Sequence, residues 1–115
     1  MTLNDANIPQ VPASWVASAL GRVTVIDVRN PNDYSGPLGH IVNAELIPLL
    51  TLTQAIDDWE SDKEIVLVCE TGARSECACQ ILQALGHTRV ASMNGGMVQW
   101  HAEALDTCHH IQEVA

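Results

Sequence analysis

The chain has 115 residues, enough for one ordinary hydrophobic core and too short for two. Hydrophobic residues make up 47% of it, which excludes a mainly disordered chain, while phenylalanine is absent. The formal net charge of −9 disfavours nucleic acids and anionic membrane surfaces as partners, because both are bound through clustered Lys and Arg.

The cellular location is expected to be the cytoplasm. No basic region followed by an apolar stretch opens the chain, and no apolar run approaches membrane-spanning length. Three of the four cysteines crowd into residues 69–79, which favours free thiols over a disulfide scaffold.

The first half of the chain predicts two helices and two strands. Residues 13–20 predict a short helix that Gly21 ends. Residues 23–28 form a β-rich run with little alternation, as expected of a strand buried on both faces. After a loop rich in Gly and Pro, residues 44–47 predict a short strand, and apolar residues at helical spacing predict a helix over 49–59.

The second half continues the alternation. Residues 64–68 form the clearest strand and run directly into Cys69. Helical spacing resumes over residues 78–85, residues 89–93 predict a last short strand, and a final helix is predicted over 97–105. Strands that alternate with helices indicate an α/β domain with a mainly parallel sheet.

Ligands of parallel sheets bind beyond the carboxyl ends of the strands. This rule singles out two places, Cys69 after the strand 64–68 and residues 27–29 at the end of the strand 23–28.

Cys69 enters a loop, residues 70–74, that leads directly into a helix. Backbone N–H groups of such a loop can converge on the sulfur and favour the reactive thiolate or an anionic persulfide. Gly72 permits an unusual backbone conformation, Arg74 adds a permanent cation at the rim, and Ser75 is placed to cap the helix. The alternative is a buried, unreactive cysteine at a strand end. The surrounding Gly and Arg favour the nucleophile.

Three segments together resemble the rhodanese domain, over about residues 8–104: "VIDVRNPNDYSGPLGHIVNAELIPL", "IVLVCETGARS" and "LGHTRVASMNGGMVQW". The residues that carry the resemblance are Asp27, Arg29, Gly39, His40, Ile41, Ala44, Cys69, Arg74, Gly95, Gly96 and Trp100. It implies one domain over residues 1–115 with a C-terminal tail at 105–115. The implied fold is a mainly parallel five-stranded sheet flanked by helices on both faces.

Loop length distinguishes the members of this family. Four residues separate Cys69 from Arg74, which resembles the sulfur-transferring members, whereas phosphatase and arsenate-reductase relatives have five. The resemblance implies that Cys69 takes sulfur from thiosulfate or a persulfide and passes it to cyanide or a thiol, without metal or organic cofactor. The implied substrate-binding residues are Glu70, Thr71, Gly72, Ala73 and Arg74.

Glu70 departs from the family, in which a basic residue often follows the nucleophile. Its carboxylate would repel a dianion such as thiosulfate. This keeps open a second hypothesis, a sulfur carrier or interaction module that accepts sulfur from a partner protein and turns over little. A phosphatase or arsenate reductase of the same fold is the third hypothesis.

Asp27 and Arg29 either contact substrate or form an ion-paired scaffold that supports the neighbouring loops, and the scaffold is favoured. His40 is predicted to be a hydrogen-bonded structural residue rather than an acid–base group. Cys77 and Cys79 could act as resolving thiols, but packing on a helix is the favoured role.

The remaining candidates are assigned structural roles. The three tryptophans are predicted to anchor the core at helix positions: Trp15, Trp59 and Trp100. The tail sequence Cys108-His109-His110 lacks a second cluster that would complete a four-ligand metal site.

Overall fold

The fold is a six-stranded sheet covered by helices, in a computed structural model that describes residues 2–4 and 7–108. The strands are β1 Thr2–Leu3, β2 Pro9–Val11, β3 Thr24–Asp27, β4 Glu45–Leu46, β5 Ile65–Val68 and β6 Val90–Met93. Their order across the sheet is β1-β2-β6-β5-β3-β4. All neighbours are parallel except the antiparallel pair β1 and β2.

The α/β class and the mainly parallel sheet are confirmed, while the expected five strands prove to be six. The extra strand is the edge strand β1, which pairs through Thr2 with Gln10 and through Leu3 with Pro9. Two residues are too few to show an alternating pattern. β2 is concealed as well, because it begins at Pro9 and is followed by Pro12, and proline is uncommon in strands.

Helices cover both faces of the sheet. They are α1 Ala13–Ala19, α2 Pro31–Tyr34, α3 Leu52–Ala55, α4 Ala73–Ala84 and α5 Gly96–Ala102, with a 3₁₀ turn at Leu49–Thr51. The single helix predicted over 49–59 is wrong, because α3 ends at Ala55. The apolar spacing holds nevertheless, since Leu52 and Ile56 are buried although the chain from 56 onward forms turns.

Two apolar clusters fill the space between the sheet and the helices. Alternate residues of β5 point to opposite sides: Ile65 and Leu67 pack toward α3 and α4, and Val66 and Val68 pack toward α1 and α5. A parallel strand buried on both faces has no polar positions, and this accounts for the continuous apolar run 65–68.

One of the predicted core positions is wrong. Trp15 on α1 is 37% exposed. It lies at the outer margin of the helical face, and Val16 fills the core position beside it. Trp59 is partly buried and Trp100 is fully buried, as expected.

The loop after β5 lies at the point in the sheet where the strand order reverses. The chain leaves β3 toward β4 on one side, whereas it leaves β5 toward β6 on the other. Such a switch opens a crevice at the carboxyl ends of the strands. Within the described residues, no helix has the length and apolar character needed to cross a bilayer.

Candidate active site

Cys69 lies at the floor of the loop that joins β5 to α4. It is 1% exposed, and its sulfur accepts hydrogen bonds from the backbone N–H groups of Gly72 at 3.0 Å and Ser75 at 3.3 Å. Convergence of N–H donors at the start of a helix favours a negative charge at that point. The loop thus has the geometry predicted for a thiolate or a persulfide.

Further N–H groups of the same loop are open. In the described part of the chain, no hydrogen-bond acceptor faces the backbone N–H of Glu70, Thr71, Ala73 or Arg74. All four donors belong to the loop that binds the Cys69 sulfur. A buried polar group normally has a partner, so a row of free donors at the mouth of a crevice suits an anionic ligand.

Glycines let the loop and α5 come into close contact. Gly72 caps α4 with φ of 113°, a conformation that other residues rarely adopt. A Cβ on Gly96 would lie 2.6 Å from the Cys69 carbonyl oxygen and would also overlap the carbonyl of Glu70. Met97 and Val98 donate their N–H groups to those two carbonyls at 2.8 and 3.0 Å. The first turn of α5 therefore fixes the backbone of residues 69 and 70 by hydrogen bonds.

Ser75 is not the predicted helix cap. It lies inside α4, after the capping residue Gly72, and its hydroxyl donates to the Gly72 carbonyl at 3.0 Å. The same oxygen is 3.5 Å from the sulfur of Cys69 and 2.6 Å from the hydroxyl of Ser92. Ser75 thus lies beneath Cys69.

Three charged side chains lie in the loop or directly after it: Glu70, Arg74 and Glu76. Glu70 and Arg74 are partly exposed, and neither forms an ion pair with any described residue. Glu76, in the first turn of α4, accepts a hydrogen bond from the amide of Asn4 at 3.0 Å. The segment that bears Asn4 also places Ile8 in the apolar cluster that contains Cys69.

Asp27 and Arg29 form the favoured scaffold. Both are fully buried, and the guanidinium meets the carboxylate with Nη2 to Oδ2 at 2.8 Å and Nε to Oδ1 at 2.9 Å. Arg29 also donates to the Gly39 carbonyl at 2.7 Å. The pair ties the end of β3 to the loop before β4, and all of these bonds stay within the protein.

His40 extends that scaffold. Its ring stacks on Tyr34 at 3.6 Å, its Nδ1 lies 2.7 Å from the Tyr34 carbonyl oxygen, and its backbone pairs with Cys108. Burial, followed by the nearby Asp27 carboxylate, raises the pKa of the Tyr34 hydroxyl, which donates to the Ala44 carbonyl at 2.6 Å. His40 is buried and hydrogen-bonded, as predicted, and Cys108 is joined to the domain.

The other cysteines are free thiols. Cys77 is exposed, whereas Cys79 is buried, and burial together with the Glu76 carboxylate raises the pKa of the Cys79 thiol to about 11. A thiol that stays protonated at neutral pH is a weak nucleophile, so Cys79 packs rather than reacts.

In residues 2–4 and 7–108, no three His, Cys, Asp or Glu side chains form a metal site. His109 and His110 lie outside these residues.

Two features of the site are absent from the sequence prediction. The sequence predicts Ser92 only as part of a strand, although a polar residue in the otherwise apolar run 90–93 is a signal of a buried partner. The approach of Gly96 to the loop requires knowledge of how α5 packs, which no local pattern provides.

The sequence model of the family described as "Rhodanese-like domain" matches residues 12–103. The chain belongs to this family. Among relatives, an uncharacterized protein of Bacillus subtilis, YqhL, is 38% identical over 79 residues, which span 69% of this chain and 61% of that protein. A thiosulfate sulfurtransferase GlpE of Pseudoalteromonas translucida is 34% identical over 80 residues, 70% of this chain and 74% of that protein.

Solved structures agree with the fold. A rhodanese-related protein of Thermoplasma volcanium superposes with a TM-score of 0.79 at 27% identity, over 89% of this chain and 99% of that one. A human single-domain sulfurtransferase, TSTD1, gives a TM-score of 0.75 at 25% identity, over 83% of this chain and 96% of that one.

Proposed function

We propose that this protein is a sulfurtransferase that carries sulfur as a persulfide on Cys69. The observation that carries the proposal is the set of N–H donors in the loop of one cysteine: two bind its sulfur, and four more have no acceptor among the described residues. A persulfide extends the side chain by one S–S bond of about 2.05 Å. The outer sulfur would then lie among the open donors.

The chemistry requires only the cysteine and two small reactants. The thiolate of Cys69 attacks the outer sulfur of a donor such as thiosulfate or a persulfide; the new S–S bond forms as the donor's S–S bond breaks, and sulfite or a thiolate leaves with that electron pair. Cyanide or an acceptor thiolate then attacks the outer sulfur and releases the Cys69 thiolate. No net redox change or cofactor is needed, and a reducing cytoplasm suits the free thiols.

The comparisons support this reaction over phosphoryl chemistry. Relatives at 30–34% identity bear the name sulfurtransferase or thiosulfate sulfurtransferase. The four-residue interval from Cys69 to Arg74 is the length that resembles sulfur-transferring members. A phosphatase or arsenate reductase is accordingly disfavoured.

A second function, favoured by Glu70, is a sulfur carrier with little turnover of its own. The Glu70 side chain is partly exposed, follows the nucleophile directly in the chain, and forms no ion pair with the described residues. Such a site would reject thiosulfate and accept sulfur from a persulfide on a partner protein.

Mass spectrometry of tryptic peptides tests the proposal. Trypsin cuts after Lys63 and Arg74, so the peptide 64–74 contains Cys69 and no other cysteine. Treatment with thiosulfate or glutathione persulfide should add one sulfur atom to this peptide, and cyanide should remove it. Cys69→Ser must abolish both events, whereas the matched change Cys77→Ser, at an exposed cysteine of α4, should leave them intact.

The pattern of outcomes separates the two functions. Sulfur added by both donors with steady turnover supports the enzyme. Loading by a protein persulfide alone, with negligible thiosulfate:cyanide turnover, supports the carrier. An unmodified peptide 64–74 under every donor would overturn both.

A further inference from the structure

Three side chains form a buried polar group beneath the loop. Cys69, Ser75 and Ser92 are each 0–1% exposed, and Ser75 Oγ lies 3.5 Å from the sulfur and 2.6 Å from Ser92 Oγ. Ser92 is on β6 and faces α4, on the same side of the sheet as Val90. The hydroxyl of Ser92 thus approaches the nucleophile through another hydroxyl, without touching it.

The hydrogens of these two hydroxyls can be assigned by counting. The Ser75 hydroxyl donates its one hydrogen to the Gly72 carbonyl at 3.0 Å and accepts a hydrogen bond from the Cys69 thiol at 3.5 Å. Once Cys69 is a thiolate it has no hydrogen to donate, and its sulfur becomes a second acceptor within reach of the Ser75 hydrogen. In the described part of the chain, Ser75 is the only hydrogen-bond partner of the Ser92 hydroxyl. If Ser75 donates to the carbonyl or the sulfur, its oxygen must accept the hydrogen of Ser92.

The neighbour of Ser92 in the sheet does not compete for that hydrogen. Gln10 on β2 lies in register with Ser92 and is 6% exposed. Its side chain makes no hydrogen bond to Ser92, and its buried Nε2 has no partner among the described residues. The hydroxyl of Ser92 is therefore directed toward Ser75.

We propose that Ser92 is a positioning residue for the nucleophile: it donates to Ser75 and leaves the single Ser75 hydrogen to alternate between the Gly72 carbonyl and the Cys69 sulfur. This inference rests on the proposed function of Cys69. When Cys69 is a thiolate, the hydrogen turns to the charged sulfur, because bonds to charged acceptors are the stronger ones. When the inner sulfur of a persulfide is neutral, the hydrogen returns to the carbonyl.

The consequence is a preference for the free thiolate. A hydroxyl that already accepts a hydrogen bond is a better donor, since hydrogen bonds in a chain polarise one another. The pair Ser92 and Ser75 therefore lowers the energy of the thiolate that must attack the donor and that must leave when the acceptor takes the sulfur.

Alkylation of the peptide 64–74 by iodoacetamide, measured against pH, tests the inference. The thiolate is the species that reacts, so the midpoint of the pH–rate profile reports how strongly the site stabilises it. Ser75→Ala should move the midpoint upward by about one pH unit and Ser92→Ala by roughly half a unit, the range of one hydrogen bond. The double variant should match Ser75→Ala alone, because Ser92 acts only through Ser75.

Conservative variants separate positioning from a structural role. Ser92→Thr keeps the hydroxyl and suits a strand, so its midpoint should match that of the unchanged protein. Ser92→Cys keeps the size with a weaker donor, and its midpoint should fall between those of the unchanged protein and Ser92→Ala. The charged groups around the loop stay the same in every variant: Glu70, Arg74, Glu76 and the Asp27–Arg29 pair.

Two results would overturn the inference: a profile of Ser92→Ala that superposes on that of the unchanged protein, or a double variant whose shift is the sum of the two single shifts. The assay contains no sulfur donor. Its failure would leave sulfur transfer by Cys69 standing, and a failure to load sulfur would leave the hydroxyl pair standing.

Discussion

Two buried polar regions lie side by side at the carboxyl ends of β3 and β5, and they differ in how their hydrogen bonds are used. In the corner formed by Asp27, Arg29 and Gly39, the guanidinium donates to both the carboxylate and the carbonyl oxygen. In the loop after Cys69, four backbone donors have no acceptor among residues 2–4 and 7–108.

The difference shows where chemistry is possible in this fold. A polar group whose bonds are all made inside the protein has no capacity left for a ligand, and it serves to fix the backbone around it. A group of converging donors without acceptors can bind an anion at once. Burial alone does not separate the two regions, because Arg29 and Cys69 are both inaccessible to solvent.

The largest expected effect comes from breaking the closed region. Arg29→Met removes the cation and leaves the Asp27 carboxylate and the Gly39 carbonyl buried without their partner. Loss of one member of a buried ion pair costs about 3–5 kcal/mol. We expect chemical denaturation to show a fall of that size in the free energy of unfolding, or no stable fold.

Arg89→Met is the matched control. Arg89 pairs with Glu64 at 3.1 Å, but both side chains are about half exposed, at 57% and 43%. Surface pairs contribute about 0–1 kcal/mol, so the unfolding free energy should change little. Equal losses in the two variants would contradict the distinction between a closed scaffold and the surface.

The next effect comes from disturbing the open region without touching a donor. Gly96→Ala places a Cβ against the carbonyls of Cys69 and Glu70 and forces the loop to move. Displacing a reacting group by about 1 Å can cost on the order of 10²-fold in rate. We expect the kcat/KM for sulfur transfer to fall by that order, with the loss concentrated at the loop.

Gly21→Ala separates this effect from backbone strain. Gly21 also has positive φ, at 91°, but a Cβ there meets nothing within 4 Å. It should cost about 1–2 kcal/mol of stability and leave kcat/KM of the folded protein unchanged. If the two alanine variants lost activity equally, contact between α5 and the loop would not be what shapes the site.

Local patterns were sufficient for most of the fold and for the position of Cys69. The run 65–68 is apolar because both faces of β5 are covered, and Cys69 follows it directly at the carboxyl end of the strand. The ion pair of Asp27 and Arg29 was foreseeable for a similar reason, since two opposite charges near a strand end are normally paired.

What could not be predicted depends on contacts between segments distant in the chain. Serine is a residue type that often caps helices, but the Ser75 hydroxyl lies below the loop, where it forms a hydrogen bond with Ser92, seventeen residues away. The edge strand β1 exists only through its pairing with β2, and Trp15 lies at the margin of a helix too short to reveal which face is buried. Propensity and periodicity do not contain this information.

The smallest expected effect concerns the charge at the mouth of the open region. A carboxylate and a dianion separated by a distance on the order of 8 Å in water repel by about 1 kcal/mol, which is roughly a five-fold change in affinity. Glu70→Gln should lower the KM for thiosulfate by a few-fold, and Glu70→Arg should lower it further. Because Glu70 is partly exposed, both decreases in KM should become smaller as the salt concentration is raised.

The control is Glu60→Gln, a change at an exposed residue in the segment before β5, and it should leave the KM for thiosulfate unaltered. If Glu70→Arg left the KM for thiosulfate unchanged at low salt, the carboxylate would not be what limits thiosulfate use, and the open donors alone would set the preference for anions.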